Sequence, residues 1–314
     1  MPQTIVEYLR EQAVSSLFAT AGFAGVWPTW KQEIHRFAPT MNEYQLYNLG
    51  DHLKDIFYST NTGAGRTQSE VSGGGAVWEA LVCWYLNLCS IGRRTVVIKH
   101  NRRLIPAPVS YAITVNYGTF PSNTESDLIA ITFPDNEEYS IDKEDIQIND
   151  VDGRSVPTHK RQGSPYNLLP ILNALCARDF NDIEIHIIQC KTNWNDNAQI
   201  PMLWDAVYSA STFRNGITIG TEGFSITDVR RFTYSFVTVP TVRVDRITPS
   251  SLSVLRVQNL SGGNYWGLEN QTGIANSVKQ LLDRNLRTGH LDSHLRTIRA
   301  SLPDLQTTYT YFQL

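Results

Sequence analysis

The stretch Asp182-Ile-Glu-Ile-His-Ile-Ile-Gln-Cys-Lys191 is the part of this sequence around which the other elements are arranged. It is rich in β-branched residues and has the length of a strand. Side chains alternate along a strand, so one face would carry its odd-numbered residues, Ile183, Ile185, Ile187, Gln189 and Lys191. That face is apolar at first and ends in an amide and an ammonium group. Because a buried strand gains no stability from such an end, we interpret it as part of a site.

A second β-branched run, Glu125-Ser-Asp-Leu-Ile-Ala-Ile131, carries Asp127 at its beginning. If the two strands pair, the Asp127 carboxylate, the Gln189 amide oxygen and the Lys191 amine can converge on one point. A carboxylate and an amide oxygen suit a hard cation, and a lysine suits the reacting phosphate, so the combination favours metal-assisted phosphodiester hydrolysis. The alternative is a strand whose end becomes polar only because it meets solvent.

A third feature is the apolar helix predicted over Ala76–Leu88, which has Glu79 in its first turn. A carboxylate at this position gains from the helix dipole, which is one explanation for it. However, Glu79 is flanked by Trp78 and Leu81, and a partly buried carboxylate needs a partner or a metal ion. We therefore favour a role for Glu79 in supporting the site.

Two polar segments are candidates for contacts with nucleic acid. The amides that follow Lys191 can read adenine in the major groove or bind phosphate, and they are Asn193, Asn195, Asn197 and Gln199. A basic loop that could enter a DNA groove contains His159, Lys160 and Arg161. The alternative for the amide-rich segment is a loop that caps the next helix. The alternative for the basic loop is an ordinary solvated loop.

The order of an aspartate, a long gap and Gln-x-Lys, here Asp127 and Gln189–Lys191, resembles the PD-(D/E)XK nuclease superfamily. Gly-Gly-x-x-Trp-Glu-x-Leu-Val, Gly74 to Val82, looks like the glutamate-bearing helix found before the catalytic sheet in many type II restriction endonucleases. The resemblance implies catalysis by Asp127, Gln189, Lys191 and Glu79. It also implies a Mg²⁺ ion held by Asp127, Gln189 and Glu79, a double-stranded DNA substrate and a C2 homodimer. The sequence departs from the family pattern at Ser126, in place of a proline, and at Gln189, in place of an acid.

The expected fold class is α/β (α+β), with a central mixed β-sheet flanked by helices. The resemblance adds a restriction-endonuclease-like core with extra C-terminal strands and helices. We expect a single nuclease domain over 1–314, with an N-terminal helical part (1–60), a catalytic core (74–208) and a C-terminal strand and helix extension (209–314). The patterns also predict a helix opened by a capping box at Thr40 and ending near Tyr58, and strands over 93–99, 109–117, 224–226 and 229–239.

Composition sets the outer bounds. The chain has 314 residues, 41% hydrophobic and 18% charged, which is ordinary for a globular protein. Its formal charge of −3 means that DNA binding would need a locally basic surface. The four cysteines lack CxxC spacing, which favours core residues in a reducing compartment. Since neither a membrane span nor a signal-peptide pattern is seen, we expect a cytoplasmic protein with no membrane partner.

Three alternatives stay open at this stage. A nuclease of the same superfamily acting in DNA repair or transposition also fits the motif. A non-catalytic DNA-binding protein of the same fold fits it as well. A hydrolase of small molecules is disfavoured, because the histidines have no paired spacing that would indicate a zinc site.

Overall fold

The computed structural model describes residues 3–60, 68–101, 103–122, 126–192, 204, 207–208, 217–238, 248, 250 and 277–314. Its α-helices are α1 (Ile5–Phe18), α2 (Ala21–Phe37), α3 (Glu43–Tyr58), α4 (Gln68–Leu88), α5 (Ala107–Ala112), α6 (Leu168–Arg178), α7 (Gln280–Arg284) and α8 (His294–Ser301). Its strands are β1 (Thr95–Lys99), β2 (Val115–Tyr117), β3 (Phe120–Ser122), β4 (Leu128–Thr132), β5 (Ile148–Asn149), β6 (Ser155–Val156), β7 (Glu184–Lys191), β8 (Ile217–Ile219) and β9 (Arg231–Thr238).

A four-stranded mixed sheet in the order β1-β4-β7-β9 organises the molecule. β4 is antiparallel to both of its neighbours, and β9 is parallel to β7. Leu128, the first residue of β4, lies opposite Lys99 of β1 and Ile188 of β7. The last residues of β1 and β7 therefore lie at the end of the sheet where β4 begins. β2, β3 and β8 form a separate three-stranded sheet, and β5 and β6 form a hairpin.

The inner strands of the four-stranded sheet are buried on both faces, since all residues of β4 and all but Lys191 of β7 are buried. Leu128 and Ile188 point into a core built largely from α2, α3 and α4. Ile129 and Ile187 point into a second core, which includes residues of α1, α5 and α6. Burial of each aliphatic side chain stabilises the fold by roughly 1.5–3 kcal/mol. The strand ends are therefore attached to a well-packed part of the sheet. The expected mixed sheet flanked by helices is confirmed.

The open edge of β1 is closed by side chains. Asn87 of α4 accepts a hydrogen bond from the Val97 N–H (3.0 Å) and donates one to the Val97 carbonyl (2.6 Å). The fully buried Arg10 of α1 donates to the carbonyls of Thr95 and Arg93, both at 2.7 Å. Backbone groups that a further strand would satisfy are thus paired within the fold. These contacts fix α4 against β1.

The helix predicted from Thr40 to Tyr58 exists as α3, but its cap differs from the prediction. Asn42 is the N-cap residue, and its side chain accepts a hydrogen bond from the Gln45 N–H at 3.0 Å. Thr40 instead donates its hydroxyl to the Gln45 side chain.

The strand ending at Lys191 is confirmed as β7. The apolar helix with Glu79 is present as α4, but it begins at Gln68 and not at Ala76. Glu79 therefore lies in the interior of the helix and not in its first turn, so the helix dipole does not explain it.

Two strand predictions were wrong. The segment 109–117 forms α5 followed by the short β2, because Pro106 and Pro108 suit the start of a helix. The alternating apolar residues of 109–117 were mistaken for a strand pattern. The segment 224–226 contributes only an isolated bridge between Thr221 and Phe224. The strand predicted over 229–239 is present as β9.

None of the described helices combines the length and hydropathy that crossing a lipid bilayer requires.

Candidate functional site

Three charged side chains lie at one end of the four-stranded sheet. Lys99 is the last residue of β1, Lys191 is the last residue of β7, and Asp127 immediately precedes β4. Because β4 runs antiparallel to both neighbours, its beginning lies between the ends of β1 and β7. The strand register thus brings the predicted acid and the predicted lysine together, 64 positions apart in the sequence.

Asp127 is held by the neighbouring strand. Its Oδ2 accepts a hydrogen bond from the Cys190 backbone N–H at 2.7 Å and lies 3.8 Å from Lys191 Nζ. Its side chain is 17% exposed. Burial raises the pKa of Asp127, while the Lys191 charge and the Cys190 N–H oppose that rise. The carboxylate is therefore desolvated and has strong donors on one side.

Glu79 reaches the same site from α4. Its Oε2 lies 3.3 Å from Lys99 Nζ, which also donates a hydrogen bond to the Ala76 carbonyl at 2.6 Å. Burial raises the pKa of Glu79, and the negative charge of Asp127 raises it further. Lys99 and Lys191 act in the opposite direction. The two carboxylates therefore feel each other's charge, although they come from different elements.

Gln189 lies inside the sheet and is fully buried. Its Oε1 accepts a hydrogen bond from the Tyr234 hydroxyl of β9 at 2.5 Å. This bond uses part of the acceptor capacity of the amide oxygen, so a metal ion would have to share that oxygen with Tyr234. The prediction that Gln189 is a metal ligand stays a prediction, and the structure adds a positioning contact to it.

Lys99 and Tyr234 were not predicted as members of this site. Lys99 ends an apolar strand, just as Lys191 does, and that similarity was the available signal. Tyr234 lies on a strand of alternating pattern and belongs to the core, so its position carries no local signal of a site. The contacts of both residues depend on which elements pack together, and that information is absent from local patterns.

The predicted DNA-binding segments are not joined to the site by the structure. Asn193, Asn195, Asn197 and Gln199 lie outside the described residues. His159 is held within its own region, because Nε2 pairs with Glu144 at 2.8 Å and Nδ1 lies 2.7 Å from the Ser164 carbonyl. The Ser164 carbonyl and the Glu144 carboxylate raise the pKa of His159. Lys160 and Arg161 are exposed.

The donor set at the sheet end fits a hard divalent cation. Asp127 and Glu79 are partly buried carboxylates that repel each other, and a cation between such groups removes both the repulsion and the cost of desolvation. The proposed ligands are two carboxylates and one amide, so only two of them are of the residue types His, Cys, Asp and Glu. Accordingly, the described part of the chain contains no group of three or more His, Cys, Asp or Glu side chains arranged for a metal ion.

A cavity of about 940 Å³ lies elsewhere, between α6 and the β5–β6 hairpin. Its lining includes Ile148, Val156, Ala174 and Arg178, and none of the residues of the sheet end.

Two of the lining residues of this cavity, Glu144 and Arg178, have shifted pKa values. Glu144 pairs with Lys143 and His159. Arg178 pairs with Glu138 and Asp179. These ion pairs account for the shifts, so they give no indication of a reaction centre. The site of interest is therefore the charged sheet end.

No protein-family model matches this sequence, and no curated protein is significantly similar to it.

Proposed function

We propose that this protein is a Mg²⁺-dependent type II restriction endonuclease with a PD-(D/E)XK core, cleaving double-stranded DNA at a specific sequence. The observation that carries the proposal is the placement of Asp127, Glu79 and Lys191 at one sheet end, from three separate elements. Asp127 lies 3.8 Å from Lys191. Glu79 lies 3.3 Å from Lys99, whose strand position is opposite Leu128. The helix α4 before the sheet, the acid at the beginning of β4 and the lysine at the end of β7 support the family resemblance. A homodimer is proposed with it, because a symmetric double-strand cut needs two copies of the site.

In this function Asp127 and Glu79 would hold the cation, with Gln189 as a further oxygen donor. The bound Mg²⁺ supplies a more acidic water and a polarised phosphate. Hydrolysis breaks one P–O ester bond, joins the water oxygen to phosphorus and leaves a hydroxyl on the departing strand. Lys191 would donate hydrogen bonds to the phosphate as its negative charge grows.

The test is digestion of a sequenced supercoiled plasmid with the purified protein, with and without Mg²⁺. The wild type is expected to cut at fixed positions only when Mg²⁺ is present. Asp127→Asn should lower the rate about 10²-fold or more, the scale of losing one preorganised electrostatic contact. Asp135→Asn is the control, since Asp135 is exposed and pairs with Arg94 away from the sheet end.

Other outcomes would favour the alternatives. Cuts that depend on DNA ends or structure, and not on sequence, would indicate a repair or transposition nuclease. Unchanged cleavage by Lys191→Ala would show that the catalytic assignment is wrong. DNA binding with no cleavage under any condition would leave the non-catalytic DNA-binding protein.

A further inference from the structure

Lys99 pairs with Glu79 as Lys191 pairs with Asp127, but it lies on the other side of β4. Its Nζ lies 3.3 Å from Glu79 Oε2 and 2.6 Å from the Ala76 carbonyl oxygen, so both partners belong to α4. Its side chain is 25% exposed, the same fraction as that of Lys191. The amine is therefore anchored on one side and open to solvent on the other.

Each acid of the site thus has its own lysine. Lys99 pairs with Glu79, and Lys191 pairs with Asp127, so the four formal charges sum to zero. A divalent cation that binds both carboxylates meets two ammonium groups at short range, and it must displace or repel them. A lysine side chain has a flexible four-carbon stem, which allows its charge to move without a change in the backbone.

We propose that Lys99 is a second phosphate-binding lysine, which holds Glu79 until a divalent cation takes Glu79 and then turns to the DNA phosphodiester. This inference rests on the proposed nuclease function and concerns the same site. The phosphodiester is the anion that replaces Glu79 as the partner of Lys99. Binding of the cation and binding of DNA consequently strengthen each other, because each removes the partner that competes with the other.

Replacement of the lysine charge separates these effects. Lys99→Met removes the competing ammonium, so the affinity for a divalent cation in the absence of DNA should rise about tenfold. The affinity for DNA should fall, and the dependence of log affinity on log salt should become shallower by about one phosphate contact. Lys99→Gln removes the same charge but keeps a donor for the Ala76 carbonyl. It replaces Lys99→Met in the same measurements if Lys99→Met does not fold.

The experiment measures Ca²⁺ binding by calorimetry and binding of a linear plasmid fragment that the wild type cuts, at several salt concentrations. Lys279→Met is the matched control, because Lys279 is 27% exposed and also pairs with an acid, Asp51, on another helix. Tighter Ca²⁺ binding together with a shallower salt dependence in the Lys99 variants, but not in Lys279→Met, supports the proposal.

Ca²⁺ affinity in the Lys99 variants that equals or falls below that of the wild type would overturn it. Asp127→Asn distinguishes this failure from failure of the proposed function. If Asp127→Asn loses Ca²⁺ binding while the Lys99 variants match the wild type, only the role of Lys99 is wrong. If Asp127→Asn binds Ca²⁺ as the wild type does, the proposed metal centre is wrong, and the Lys99 proposal fails with it.

Discussion

At the scale of single residues, Gln189 is the most informative, because it stands where the nuclease motif usually has an acid. Gln189 is fully buried, and its oxygen already receives the Tyr234 hydroxyl. A glutamate there would place a further negative charge inside the sheet, close to Asp127, at a large cost of desolvation. An amide avoids that cost and lets β9 hold the end of β7. We therefore expect Glu79 to contribute more of the negative charge of the site than Gln189 does.

Tyr234→Phe tests this positioning contact. Loss of the hydroxyl deprives a buried amide oxygen of a donor, so the free energy of unfolding should fall by about 1–3 kcal/mol in urea titrations. Cleavage should weaken as well, since the end of β7 carries Lys191. Tyr208→Phe is the control, because its hydroxyl donates to the Ile113 carbonyl at 3.0 Å. Equal losses of cleavage in both variants would show that Tyr234 acts only through general stability.

The residues of the site were predictable to the extent that their local pattern was unusual. The proximity of Asp127 and Lys191 could be predicted because each is a charged residue at the end of an apolar strand. Gln189 is different, since it is fully buried and accepts a hydrogen bond from Tyr234. Lys99 also ends a strand, but a basic turn follows it and made it look like ordinary surface. Its pairing with Glu79 follows from the packing of α4 on β1, which no local pattern contains.

At the scale of elements, the join between α4 and β1 decides where Glu79 lies. Asn87 stands eight residues after Glu79 on α4 and forms a pair of hydrogen bonds with the backbone of Val97. Both partners are completely buried. The side chain acts as a short substitute for a neighbouring strand, and it fixes the helix relative to the sheet.

Asn87→Leu removes both hydrogen bonds at nearly constant volume. The Val97 N–H and carbonyl would be left buried without this partner, so we expect a loss of about 2–4 kcal/mol in the free energy of unfolding. Cleavage should also fall, since α4 carries Glu79. Asn116→Leu is the control, because Asn116 is only partly buried and bonds to Gly220. A stability of Asn87→Leu within the error of the wild type would contradict the importance of this join.

Elements with a strong period were predicted, and elements set by proline or glycine were not. The apolar run of α4 and the alternating run of β7 each fit only one type of secondary structure. By contrast, Gly22, Gly25 and Pro28 are residue types typical of a less regular segment, yet they lie within α2. Its side chains Trp27 and Trp30 are buried in the core, and this packing outweighs the weak local preference.

At the scale of the whole molecule, the first and last parts of the chain share a core. The indole N–H of Trp84 donates to the Phe312 carbonyl at 3.1 Å, and that of Trp27 donates to the Gln313 carbonyl at 3.4 Å. Phe312 itself is fully buried. The helix α2 and the chain end thus cover the same side of the sheet as α4. Such contacts join segments far apart in sequence, so the sequence alone could not predict them.

The stability of this assembly should depend on pH through a buried histidine, His294 of α8. Burial lowers its pKa to about 3, and the nearby positive charge of Arg93 contributes to the shift. An unfolded chain accepts the proton near pH 6.5, whereas the folded chain does not until far lower pH. Stability is therefore present above pH 6.5 and is lost as the pH falls towards 3, by at most about 1.4 kcal/mol per pH unit.

His294→Asn should make this loss shallower, because the variant has no proton to take up at this position. The difference between the two proteins isolates His294 from other groups. The buried His186 has its pKa lowered and destabilises the fold in acid in the same way. Asp127 and Glu79 have raised pKa values and act in the opposite direction. Urea unfolding at pH values of about 7.5, 6.5, 5.5 and 4.5 measures both curves. Parallel curves would mean that His294 takes up its proton equally easily in the folded and unfolded chains.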